Sequence, residues 1–213
     1  MHPLNLRRIA VWALVLLCAG PVLAGPAKLG VNLIRDGGAE SAAGTDGYTV
    51  VAIPKWKTKG SLTAVLWGAS GFPTADDAGP KKRGLNFFAG GPDNPKSSVT
   101  QRINLSALAS DIDSGGVGFE LLGYLGGFSD QNDHATLSAT FLDAAGQSLG
   151  SSELPAVLAA DRGGVSGMLK RSAQGPVPVG TRAATIVLTM TRTDGSYNDG
   201  YADGLSLILS TAP

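Results

Sequence analysis

Apolar side chains return at every second position over most of this chain. In "SSVTQRINL" Val99, Ile103 and Leu105 fall on one face, with Thr100, Arg102 and Asn104 on the other. "HATLSATFLDAAG" alternates Leu137, Ala139 and Phe141 against Thr136, Ser138 and Thr140. Period two is the mark of a strand with one face buried. The pattern recurs in "GVGFELLGYL", in "ATIVLTMTR" with Ile186, Leu188 and Met190, and in "DGLSLILS" with Leu205, Leu207 and Leu209. Gly, Pro, Asp and Asn punctuate the stretches between, and the best helical segment is the short "LSALASDID".

Roughly ten short strands without intervening helices predict an antiparallel arrangement rather than βαβ units. The expected fold is all-β, an antiparallel β-sandwich of jelly-roll type in a single domain. "GASGFPTADDAGPKKRG" and "GGPDNPKSS" read as long surface loops around a strand, "LNFFAGG". Adjacent strand residues point to opposite faces, so one ring of the Phe87-Phe88 pair must leave the main core, where a second layer covers it or it is exposed.

The first residues change the compartment. Arg7 and Arg8 precede an apolar run, Ile9 to Leu17, and the small residues around Ala24 suit signal peptidase. The expected division is a signal peptide, 1–24, and a sandwich domain, 25–213, secreted or periplasmic. Cys18, the only cysteine, falls inside the signal, so disulfides and cysteine-bound zinc are excluded from the mature chain. With Arg7 and Arg8 gone the 17 acidic residues outnumber the basic ones by two. No basic stripe along the sequence points to nucleic acid, and no apolar run after Ala24 is long enough to span a membrane.

Catalytic motifs are scarce. His134 alone survives cleavage, so a multi-histidine zinc site is excluded, and "GVSGM" and "GASGF" both fail as nucleophile elbows. A glycosidase needs a carboxyl pair about 5–10 Å apart, yet Glu40, Glu120 and Glu153 are the only glutamates. Loop pairs such as Asp111/Asp113 and Asp130/Asp133 are more economically read as turn formers.

The acidic cluster Asp194, Asp199 and Asp203 in "DGSYNDGYADGLSLIL" admits three readings: turn, metal site or catalytic group. Calcium wants six to eight oxygens, and the loop is rich in them. An EF-hand does not fit, because Asp199 stands where the bend glycine belongs and Leu205 where the bidentate glutamate belongs. The other end of the mature chain offers a partner in "NLIRDGGAESAAGTDGY", an apolar strand at Val31 to Ile34 followed by Asp36 and Glu40.

"NLI", "GGAE", Trp56 and "YADGLSLIL" together resemble the galactose-binding-like jelly-roll superfamily, which includes many carbohydrate-binding modules. The resemblance spans nearly all of the mature chain and departs from the common pattern at Ala39. It implies that first and last strands lie together with a structural calcium between them. Glu40 and Asp203 would then be carboxylate ligands, and backbone oxygens near Asp36, Gly38 and Asp203 would complete the shell, while Asp194 and Asp199 shape the turn before it.

A sugar site needs an aromatic face with hydrogen-bonding groups beside it. Trp67 and Phe88 lie near long loops, and "GGFSDQNDHA" sets Phe128 among Asp130, Asp133 and other polar residues. The expected function is a secreted, non-catalytic module for a glycan or cell-surface polysaccharide. A self-assembling or matrix protein that associates with itself or another protein is the second reading, and a jelly-roll lyase or hydrolase the third.

Overall fold

The computed structural model describes residues 25–211, so the expected signal segment lies outside the described residues. Ten strands follow in chain order: β1 (Lys57–Lys59), β2 (Thr63–Leu66), β3 (Asn86–Pro92), β4 (Lys96–Asn104), β5 (Val117–Gly127), β6 (His134–Leu142), β7 (Ser148–Leu154), β8 (Gly167–Pro176), β9 (Ala183–Thr191) and β10 (Tyr197–Thr211). They form two five-stranded antiparallel sheets, β1-β4-β9-β6-β7 and β2-β3-β10-β5-β8. The architecture is the expected all-β sandwich, with short helical turns at Ser106–Leu108, α1 (Ala109–Asp113) and Ala160–Arg162. No helix among the described residues is long and apolar enough to cross a membrane.

The alternating residues meet between the sheets. Val99 and Ile103 of β4, Leu137 and Phe141 of β6, Ile186 and Leu188 of β9, and Leu205, Leu207 and Leu209 of β10 share one buried cluster. Burying each such side chain stabilises the fold by about 1.5–3 kcal/mol. Phe119 and Phe141 join the two sheets with ring centroids 5.0 Å apart.

Two sequence expectations change. Val31 to Ile34 is not a regular strand, since only Asn32 makes a bridge, to Ile208. The Asn32 side chain takes over the ladder, donating to the Leu205 carbonyl and accepting from the Leu207 amide at 3.0 Å each. The first segment thus does lie along the last strand. Gly37 permits the closest approach, because a Cβ there would stand 2.2 Å from the Leu205 carbonyl oxygen. "GGPDNPKSS", read as a long loop, is mostly the end of β3 and the start of β4; the chain changes sheets between them through Asp93–Pro95. Asn94 makes this sharp crossing self-sufficient by donating to the carbonyls of Gly90, Gly91 and Pro92.

A second apolar layer lies outside the sandwich. Phe88 faces the main core, against Trp56 at 5.8 Å, whereas Phe87 faces outward into a cluster with Val65, Phe72, Ala89, Met168 and Tyr201. The loop 67–85 lies over this outer face, so Phe87 is covered rather than exposed.

Candidate functional site

β10 builds the outer face through a local irregularity. Ala202 and Leu205, three residues apart, both enter the main core, and the pairing with β5 shifts register between Asp203 and Ser206. Gly204 at φ 61° supplies the left-handed residue that such a bulge requires. Its amide donates to Asp203 Oδ1 at 2.6 Å. Asp203 is thereby turned, with Tyr201, to the outer face beneath the 67–85 loop, where it is 2% exposed.

There Trp67 Nε1 donates to Asp203 Oδ2 at 3.3 Å. Burial is the main reason that the Asp203 carboxyl is pushed up to about 8; its hydrogen bonds and Arg83 oppose the rise, and Glu40 adds to it. Glu40 comes from the N-terminal segment and accepts the amides of Leu85 and Asn86, both at 3.0 Å. The two carboxylates face each other across Gly38: a Cβ at that glycine would stand 3.0 Å from Asp203 Oδ1 and 3.5 Å from Glu40 Oε1. Gly38, Glu40, Lys82, Gly84 and Asp203 line a cavity of about 300 Å³.

Among the described residues no three or more His, Asp or Glu side chains converge as a metal cage. Asp36 Oδ1 accepts the Ser41 amide at 2.9 Å and its carbonyl accepts Trp56 Nε1 at 3.0 Å, while its Oδ2 is buried without a hydrogen-bond partner. Glu40 and Asp203 supply the facing carboxylates, with the side-chain-free edge of Gly38 beside them. Two carboxylates completed by backbone oxygens and water fit a hard cation such as calcium.

Trp67 joins the site expected for metal rather than forming a sugar platform. Arg83 lies over its ring at 4.4 Å and Phe87 packs at 5.0 Å. The guanidinium also donates to the carbonyls of Thr74, Asp77 and Pro80, so it knits the covering loop to that ring. Phe88 offers a ligand nothing, being 0% exposed inside the sandwich.

The loop with Phe128, Asp130 and Asp133 forms a separate cluster. Phe128 is half-buried against the outer apolar layer and Asp130 is exposed. Asp133 is fully buried and accepts the amides of Thr193, Asp194 and Asp199 at 2.6–3.0 Å, which fastens the β9–β10 connection. That is a structural task, and at 0% exposure the carboxylate does not face solvent. Asp199 lies within β10 rather than in the turn, and its carboxylate accepts from Tyr201 Oη. Burial chiefly raises Asp199 to about 6, with Tyr201 lowering it and Asp133 raising it. Buried Arg162 holds the loop by donating to the carbonyls of Ser129 at 2.7 Å, Gln131 at 2.9 Å, and Val165.

Among the described residues the exposed aromatic is Tyr48, which the sequence reading passed over. It is 68% exposed, with Phe72 and Tyr197 edge-on to it at 6.2 and 5.8 Å. Thr45 bridges β2, and Gly47, at φ 97°, lets the backbone close on Phe72, where a Cβ would stand 2.2 Å from the ring. Tyr197 Oη donates to the Gly47 carbonyl at 2.8 Å, and Asp46 Oδ1 accepts the Tyr48 amide at 3.2 Å. The result is a ring held from behind, with exposed Asp46 and Thr49 beside it. The local signal for this in the sequence was the Asp46-Gly47 turn directly before the ring.

No family model matches the sequence, and no curated protein does. Among solved structures, the "Family 16 Carbohydrate Binding Module-2" is similar at a TM-score of 0.51 and 15% identity, over 83% of this chain and 99% of that one. The chain shares the jelly-roll β-sandwich fold of that module. A CBM22-1 xylan-binding domain from Paenibacillus barcinonensis Xyn10C is similar at 0.45 and 17%, over 88% and 99%. The enzymatically active domain of a tailspike protein of bacteriophage CBA120 is similar at 0.47 and 16%, over 84% of this chain; this jelly roll spans only 21% of that one.

Proposed function

We propose that this protein is an exported, non-catalytic glycan-binding module whose ligand stacks on Tyr48. The observation that carries the proposal is the exposed Tyr48 ring backed by Phe72 and Tyr197. A pyranose presents an apolar face to such a ring while its hydroxyls meet neighbouring polar groups. Asp46 and Thr49 are in reach of that role. The fold shared with the family 16 module supports the same class.

In this proposal calcium is structural. Glu40 and Asp203 hold it with backbone oxygens near Gly38, and its charge offsets the repulsion and desolvation of the paired carboxylates. It would tie the N-terminal segment to β10, away from the Tyr48 ring. The test is binding of residues 25–213 to immobilised neutral polysaccharides, with Tyr48→Ala alongside. The proposal expects one or more glycans to be retained by the parent chain and released by the variant; equal retention by both would overturn it.

A further inference from the structure

The outer face of the other sheet has a chemistry of its own. The registers align Lys57, Thr100, Val187, Ser138 and Glu153 in one row across five strands, and Lys59, Ser98, Thr189 and Thr136 in the next. Residues directly opposite one another share a face. Arg102, Thr185, Thr140 and Ser151 form the row on one side, while Lys96, Thr191 and His134 close the other. Hydroxyls therefore occupy the middle of the face, with strands about 4.8 Å apart and repeats of about 6.8 Å along each strand.

Charge is segregated at one border. Lys57, Lys59, Lys96 and Arg102 stand on β1 and β4, all exposed, and Glu153 stands at the opposite edge. From Lys96 to Arg102 the strip is roughly 20 Å long. Beyond Arg102 it continues into two cavities, of about 590 and 580 Å³, which share Arg102, Asn104 and Ser106. The smaller adds Lys28 and Arg35, and the larger adds Asp143 and the Asp113-paired Arg182. Buried Gln101 fixes Arg35 by accepting its amide at 2.8 Å and donating to its carbonyl at 3.0 Å. Among the described residues the ion pairs are Arg171–Asp161 and Arg182–Asp113, so none of the other six cations is neutralised by a carboxylate.

Residues 25–211 carry 17 acids and 15 bases, and six of the thirteen bases outside ion pairs gather at this border beside a field of hydroxyls. We infer that this face binds an acidic polysaccharide, with uronate carboxylates on Lys57, Lys59, Arg102 and Arg35 and sugar hydroxyls on the Ser/Thr rows. The length of the strip matches an extended polymer rather than a single anion. No Phe, Tyr or Trp stands at the outward positions of these rows, so the face has no ring on which a nucleic-acid base would stack. It is on the opposite sheet from Tyr48 and does not depend on that site.

The experiment compares binding of residues 25–213 to polygalacturonate and to its fully methyl-esterified form, which has the same backbone without charge. The expected result is binding of the acid form alone at this face, weakening as salt rises. A triple variant, Lys57→Gln with Lys59→Gln and Arg102→Gln, should bind about tenfold more weakly, as three exposed ion pairs of usual strength give. All three residues are exposed, so its melting temperature should match the parent's. Lys81→Gln with Lys170→Gln, two exposed lysines on the 67–85 loop and on β8 of the other sheet, should change nothing. Equal loss in that control would reduce the effect to net charge and overturn the assignment, as would undiminished binding by the triple variant or equal affinity for duplex DNA. Tyr48→Ala should leave polygalacturonate binding intact while losing the neutral glycan, so failure of either site is read separately.

Discussion

Replacing Asp203 by Asn tests the buried carboxylate at the heart of the terminal junction. The folded Asp203 titrates near 8, whereas an unfolded aspartate titrates near 3.9. A raised acid binds its proton more tightly when folded, so stability falls as pH rises between those values. Asp199, raised to about 6, contributes the same sign but completes most of its change by then. The window from pH 6 to 8 therefore isolates Asp203. Linkage over that window gives a loss of about 2 kcal/mol, which for a domain of this size lowers the melting temperature by roughly 4–8 °C. Thermal melts in chelator should show this slope for the parent and a nearly flat line for Asp203→Asn. The variant keeps one acceptor for two N–H donors, those of Trp67 and Gly204, and so begins about 1 kcal/mol lower at pH 6. Millimolar calcium should raise the parent melt, flatten its slope and leave the variant unmoved. Parallel lines for the two proteins in chelator would refute the reasoning.

Other substitutions probe the packing that positions these groups. Phe88→Ala empties a fully buried site beside Trp56 and should cost about 3–5 kcal/mol in denaturant unfolding, far more than an exposed ligand platform would. Gly37→Ala drives a methyl into the Leu205 carbonyl and should lower the melting temperature while abolishing the calcium response, because it separates the N-terminal segment from β10. Asp133→Ala strips the acceptor from three part-buried amides of the β9–β10 connection; a loss of about 2–4 kcal/mol is expected in the same denaturant assay.

Much of this fold was readable because a half-buried sheet writes its burial into every second residue. β4, β6 and β9 lie where Val99–Ile103, Leu137–Phe141 and Ile186–Met190 alternate. Alternation does not say which sheet a strand joins, and the crossing at Asp93–Pro95 depends on Asn94 holding three carbonyls, a contact absent from local pattern. Phe87 and Phe88 had to part, yet the choice between them was set by pairing of β3 with β10 and β2. Likewise Asp203 reaches the outer face only through the bulge at Gly204, which shifts the parity of β10. Trp67 and Asp203 were assigned to different sites because 136 residues separate them, and the 67–85 loop brings them together. Tyr48 was missed for the opposite reason: an isolated aromatic in a glycine turn carries no periodic signal, and its support from Phe72 and Tyr197 is tertiary.

The central claim is that this jelly roll holds a glycan on Tyr48. Affinity electrophoresis of residues 25–213 through gels containing neutral polysaccharides, run beside Tyr48→Ala, measures it directly. The account predicts retardation of the parent in at least one gel and loss of that retardation in a variant with an unchanged melting temperature. Unretarded parent protein across the panel, or a variant retarded as strongly as the parent, would contradict it.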